Sequence, residues 1–319
     1  VTDGIVQQFN ARWSERRVRF AATCPPPWWA PGLILTPELR ARYEAWLPVD
    51  AFAADLRRLL RHLLPGPEWV PSCLQPRAGG GTAFASVPDL WAALPTSLAG
   101  RVCFAEDEIL PLACALASPP RFGTGCGRYP GQVRDLVSCL NPGSAQGLRL
   151  LDLGCGTGQG TVEAVLELQA LTGLPCVGVG VTREPLEAWM AAERRLPHLS
   201  EHERRYRELP ECRVVFLAAD ARRPPLNARF DVILCNGLVG GPALSEAEDV
   251  VQLLGRMDCL LAPGGGCTWA NRFHGGHRPK VRRALDLARE RGWAVQGSEE
   301  LALLRRVSST PRNRARPGV

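Results

Sequence analysis

The chain has 319 residues, 45% hydrophobic and 22% charged, a composition that allows a buried core of domain size. Its net charge is +6, but Lys280 is the only lysine and the arginines are scattered along the chain. A nucleic-acid surface gathers its cations on one face, so nucleic acid is not expected as a partner. The twelve cysteines form no C-x-x-C pair of the zinc-binding kind, and no apolar run reaches the ~20 residues that cross a bilayer. These features predict a cytoplasmic protein with free thiols, no metal and no membrane contact.

Residues 1–120 hold six of the nine tryptophans and many prolines, without regular strand–helix alternation. They are read as a mainly helical accessory domain. Pro25, Pro26 and Pro27 force the segment ending in Trp28 and Trp29 to be extended; the tryptophan pair reads as core. Thr36 is placed to cap a helix from Pro37 to Leu47. Asp50 is expected to cap a second one ending at Leu64, with Phe52, Leu56, Leu59, Leu60 and Leu63 on one side and Arg57, Arg58 and Arg61 on the other. Residues 78–81 read as a loop.

Over residues 121–308 short apolar runs alternate with amphipathic segments, the pattern of a mostly parallel α/β sheet. Strands are predicted at Leu148–Leu153, Cys176–Val181, Arg213–Ala218, Phe230–Cys235 and Gly265–Ala270, with a final pair at Trp293–Gly297 and Ala302–Val307. Helices are predicted at Pro130–Leu140, Gly158–Thr172, Pro185–Arg195, Ser245–Leu261 and Lys280–Arg291. Residues 309–319 are polar and basic and read as a disordered tail.

The most informative segment is Leu148–Gly158: an apolar strand, Asp152, then Gly154, Cys155, Gly156, Thr157 and Gly158 before a helix. Glycines remove side chains where a ligand must lie on the backbone at a helix N-terminus. A dinucleotide fingerprint, G-x-G-x-x-G, would need its third glycine at position 159, which is Gln159. The carboxylate of Asp152 would also repel a pyrophosphate, whereas it suits a cationic amino-acid group.

This turn, read with three later segments, resembles the class I S-adenosylmethionine-dependent methyltransferases over residues 121–307. The segments are Phe216–Ala221, Phe230–Asn236 and Leu260–Gly266. The resemblance implies a Rossmann-like methyltransferase sheet, mostly parallel and seven-stranded, with S-adenosylmethionine as cofactor. It assigns Asp152 and the turn Gly154–Gly158 to the methionine half. Val181 and Thr182 fall at the end of the second strand, Asp220 and Ala221 at the adenine, and Asn236 below the sulfonium. Tyr129 or Arg128, just upstream, would close the pocket.

One position departs from the family. Gly180 stands where an acidic residue normally holds the ribose hydroxyls. Thr182, Glu184 or water would substitute, and Gly180→Asp is expected to restore the contact if the backbone accepts a side chain. His198 and His202, four apart, lack a third metal ligand, and His274 and His277 lie on a predicted rim loop. The leading reading is methyl transfer to a small molecule or protein side chain. The alternative is a cofactor-binding regulatory protein with lost turnover, and a third is aminopropyl transfer. No residue identifies itself as a catalytic base; the acceptor and the oligomeric state stay open.

Overall fold

The computed structural model describes residues 2–23, 36–77, 80–119, 127, 131–138, 140, 147–241, 244–271 and 277–306. Trp28, Trp29, Arg128, Tyr129, His274 and the tail 309–319 lie outside the described residues, as does part of the loop 78–81. The chain divides into two compact units. One holds residues 1–126, 156–159 and 183–209; the other holds 127–155, 160–182 and 210–319. Residues 183–209, which lie within the span 121–308, group with the N-terminal region.

The first unit is helical. It contains α1 (Thr2–Thr23), α2 (Pro37–Trp46), α3 (Val49–Leu63), α4 (Val87–Trp91) and α5 (Ile109–Ala117). Its core is aromatic: Phe20 stacks on Tyr43 at 4.8 Å, and Trp13 meets Phe52 edge-on at 4.9 Å. Thr36 caps α2 as expected, accepting from the Leu39 amide at 3.3 Å. Asp50 does not cap α3. That helix starts at Val49, and the Asp50 carboxylate instead accepts from the Thr82 amide at 2.9 Å. Pro111 falls within the apolar helix α5. It sits in the first turn of α5, where the missing N–H has no intrahelical partner to lose.

The second unit is an α/β sheet. Flanking helices are α6 (Gln132–Val137) and α7 (Gln159–Thr172), whose first residue belongs to the first unit. The strands are β1 (Leu148–Leu153), β2 (Cys176–Thr182), β3 (Arg213–Ala218), β4 (Phe230–Asn236), β5 (Leu261–Ala270), β6 (Trp293–Gly297) and β7 (Leu301–Arg306). Between β2 and β3 lie α8 (Pro185–Glu193) and α9 (Ser200–Glu208), both in the first unit, where Trp189 of α8 meets Trp69 at 5.0 Å. Later come α10 (Ala247–Leu260) and α11 (Arg278–Glu290).

The strand order is β3-β2-β1-β4-β5-β7-β6. The first five strands run parallel, and β7 pairs antiparallel with both β5 and β6. Apolar clusters cover both faces. One joins Ile233, Cys235, Cys267 and Trp269 to Leu253, Met257 and Leu285; the other joins Leu150, Val232 and Leu234 to Leu136, Val165 and Leu168. Burial on both faces is what makes these strands continuous apolar runs in the sequence.

Candidate functional site

The chain order reverses between β1 and β4, which are neighbours although β1 continues into β2 on its other side. In open α/β sheets a ligand binds outside the carboxyl ends of the strands at this switch point. Asp152 lies near the end of β1 and Asn236 ends β4.

Asp152 is 5% exposed. Its Oδ2 accepts from the Thr161 hydroxyl at 2.6 Å, while Oδ1 has no hydrogen-bond partner among the described residues. Burial pushes its pKa up to about 6, the Thr161 hydrogen bond opposing. Among the described residues no cation pairs with this carboxyl group. Beyond it the turn is tied to β2, since the amides of Gly154 and Cys155 both donate to the Val181 carbonyl, at 2.8 and 3.0 Å. Val181 itself is wholly buried, so it supports the turn from within the core. Thr182 is also buried, and its carbonyl accepts from the Ala219 amide at 2.8 Å.

Gly154 has φ +84°, and Gly156 and Gly158, in the first unit, have φ +54° and +81°. These are left-handed conformations that side chains resist. A Cβ on Gly156 would meet nothing nearer than Glu187 Oε1 at 3.9 Å, so this glycine answers a backbone demand rather than crowding by the described residues. Thr157 between them is buried.

Gly180 has a different cause. It pairs with Asp152 on one side and Phe216 on the other. A Cβ there would fall 2.5 Å from Phe216 Cδ1 and 2.9 Å from Cys155 Sγ. The Phe216 ring occupies the space that a side chain at 180 would need, so the condition set on restoring an acid is not met while the ring stays where it is. Glu184, one of the expected substitutes, accepts from the Ser72 amide at 3.2 Å within the first unit.

Asp220 is held by Arg222, whose Nη2 reaches Oδ2 at 2.6 Å and whose backbone amide reaches Oδ1 at 2.9 Å. Arg222 also pairs with Asp249 on α10. Ala221 packs partly against the core. Asn236 exchanges two hydrogen bonds with Gln132 on α6, and Thr268 on β5 joins the cluster. Gln132, Thr268 and Thr161 were not expected from the sequence. Thr161 was accessible there as a hydroxyl in the first turn of the helix after Asp152; the other two join only through the fold.

His198 and His202 do not lie on one helical face. His198 precedes α9 instead of sharing its face with His202, and its Nε2 lies 3.0 Å from the Ser118 carbonyl. Burial pushes its pKa down to about 4. No group of three potential metal ligands occurs among the described residues. His277 contacts the Gly240 carbonyl through Nδ1 at 2.8 Å.

No protein-family model matches the sequence, and no curated protein matches it. Solved structures do resemble it. An N-methyltransferase NodS from Bradyrhizobium japonicum, bound to S-adenosyl-L-homocysteine, is 16% identical with a TM-score of 0.40, covering 61% of this chain and 93% of its own. A TehB-like SAM-dependent methyltransferase from Corynebacterium glutamicum is 18% identical with a TM-score of 0.37, covering 55% and 85%. A putative rRNA-methylase from Clostridium thermocellum is 18% identical with a TM-score of 0.36, covering 55% and 92%. The mostly parallel seven-stranded sheet, with its order reversed between β1 and β4 and a glycine turn after β1, is a Rossmann-like α/β fold.

Proposed function

We propose that this chain binds S-adenosylmethionine and transfers its methyl group to a small molecule or a protein side chain. The observation that carries the reading is Asp152, a buried carboxyl group at the switch point with one oxygen unpartnered among the described residues. A carboxylate in that setting calls for a cation, and the amino-acid end of the cofactor supplies an ammonium. Pyrophosphate cofactors would bring charge of the wrong sign. Gly154, Gly156 and Gly158 leave three positions of the turn without side chains, and Asn236 contributes a polar group at the end of β4. When bound, the cofactor supplies a methyl group on a sulfonium, an activated leaving group, so that placing the acceptor provides most of the rate.

The test is calorimetry with S-adenosylmethionine, S-adenosylhomocysteine and NAD. Binding of the first two and not the third is expected; binding of NAD alone would overturn the reading. Methyl transfer is then assayed on a panel of amines, carboxylic acids, peptides and RNA.

A second reading is favoured by Gly180 and the Phe216 ring beside it. With no acid there, the chain is a cofactor-binding regulatory protein without turnover. Tight cofactor binding with no methyl transfer to any member of the panel supports it.

A further inference from the structure

The amide of Asn236 has a hydrogen-bonding capacity that can be counted. An amide oxygen has two lone pairs and an amide nitrogen two hydrogens. Asn236 Oδ1 accepts from Gln132 Nε2 at 2.7 Å and from the Ala270 backbone amide at 3.1 Å, filling both lone pairs. Asn236 Nδ2 donates one hydrogen to Gln132 Oε1 at 3.0 Å. The orientation follows from the Ala270 N–H, which can only donate and so requires the oxygen to face it. Gln132 is fixed in turn, for its Nε2 also reaches Thr268 Oγ1 at 3.3 Å, and both residues are buried. Among the described residues, what remains on half-buried Asn236 is one N–H and no lone pair.

We infer that Asn236, held by Gln132 as a positioning residue, selects a methyl-acceptor molecule presenting an oxygen lone pair, such as a carboxylate, over one presenting amine hydrogens. The inference rests on the cofactor reading only in taking the carboxyl end of β4 as the place where the acceptor lies. An amine would bring N–H groups to an oxygen whose lone pairs are already filled. A carboxylate would accept the remaining hydrogen in a charge-assisted bond.

The experiment uses the ¹⁵N-labelled full chain saturated with S-adenosylhomocysteine, with the Asn236 side-chain resonances assigned by their loss in Asn236→Ala. Acetate and methylammonium are the probes. One Nδ2 hydrogen should exchange slowly with solvent and the other quickly, and acetate should shift the fast one saturably while methylammonium does not. Gln132→Met removes both bonds to Asn236 at similar volume and frees one lone pair. In that variant both hydrogens should exchange quickly, and the preference for acetate should fall by about tenfold, the scale of one hydrogen bond.

Saturable shifts with methylammonium in the wild type, or two hydrogens exchanging alike, would overturn the inference. So would a lack of response to acetate in protein that binds S-adenosylhomocysteine. Failure to bind S-adenosylhomocysteine at all counts against the cofactor reading instead, while the exchange of the two hydrogens still tests the count. If Gln132→Met does not fold, the wild-type exchange rates and the two titrations decide.

Discussion

Gly180 gives the sharpest test of the sheet as packed. A methyl group there would stand 2.5 and 2.7 Å from two carbons of the Phe216 ring and 2.9 Å from Cys155 Sγ. To regain ordinary contact the ring must withdraw by roughly 1 Å. Phe216 lies on edge strand β3 and is only partly buried, so it has somewhere to go. Gly180→Ala should therefore cost about 1–2 kcal/mol, the lower part of the range for overpacking. Gly180→Asp should cost more, because it adds a second carboxylate beside Asp152, its partner across β1. It should also fail to tighten cofactor binding.

The assay is urea unfolding followed by circular dichroism, run for Gly180→Ala, Phe216→Ala and the double variant. Removing the ring relieves two of the three close contacts and leaves Cys155 Sγ at 2.9 Å, so Gly180→Ala should cost about 1 kcal/mol less in the Phe216→Ala background, a coupling of that size. If Gly180→Ala costs the same in both backgrounds, the ring is not what keeps position 180 a glycine. If Gly180→Asp binds S-adenosylhomocysteine more tightly than wild type, the register of β2 against β3 is wrong.

Two further substitutions address the cofactor. Gly156→Val places a β-branched residue at φ +54°; it should cost about 1–3 kcal/mol in backbone strain and abolish S-adenosylhomocysteine binding by calorimetry. An unchanged dissociation constant would remove this turn from the site. Asp220→Ala should weaken binding by roughly 1–2 kcal/mol without unfolding the chain, since Arg222 keeps Asp249 as a partner; undiminished affinity would mean that Asp220 serves only to anchor Arg222.

Most of the sheet was legible because buried parallel strands are continuous apolar runs bounded by turn residues. β1, β3 and β6 fall at their predicted bounds. Helix α1 was legible and was missed: Val6, Phe9, Trp13 and Phe20 recur at helical spacing and are all buried. What the sequence could not reveal is contact across the sheet. Gln132 meets Asn236 over a separation of 104 residues, and Phe216 meets Gly180 only because β2 and β3 pair in that register. Asp50 failed as a cap for a local reason: the helix had begun one residue earlier, at Val49. Residues 183–209 follow β2 directly, so their grouping with the N-terminal unit depends on packing against side chains far away in sequence.

Asp152 joins stability to function through its charge. Its pKa in the folded chain is about 6 against an ordinary 3.8, with burial the dominant cause. Between those values the native state holds a proton that the unfolded state has lost, so stability falls as pH rises through this window and levels off above it. The cost at pH 7 is about 3 kcal/mol, from roughly two pKa units at 1.36 kcal/mol each. Asp152→Asn removes the charge while keeping an acceptor for Thr161. The variant should unfold at higher urea than wild type at pH 7, and the difference should shrink towards pH 4. The same variant should lose affinity for S-adenosylhomocysteine, because the ammonium no longer meets a carboxylate. In the wild type that ammonium should lower the Asp152 pKa, so binding near pH 5 should release a proton, detected by calorimetry in buffers of different ionisation enthalpy. A variant no more stable than wild type at pH 7 would mean that the carboxylate is already compensated in the free protein. Binding at pH 5 without proton release would mean that the cation of the ligand lies elsewhere.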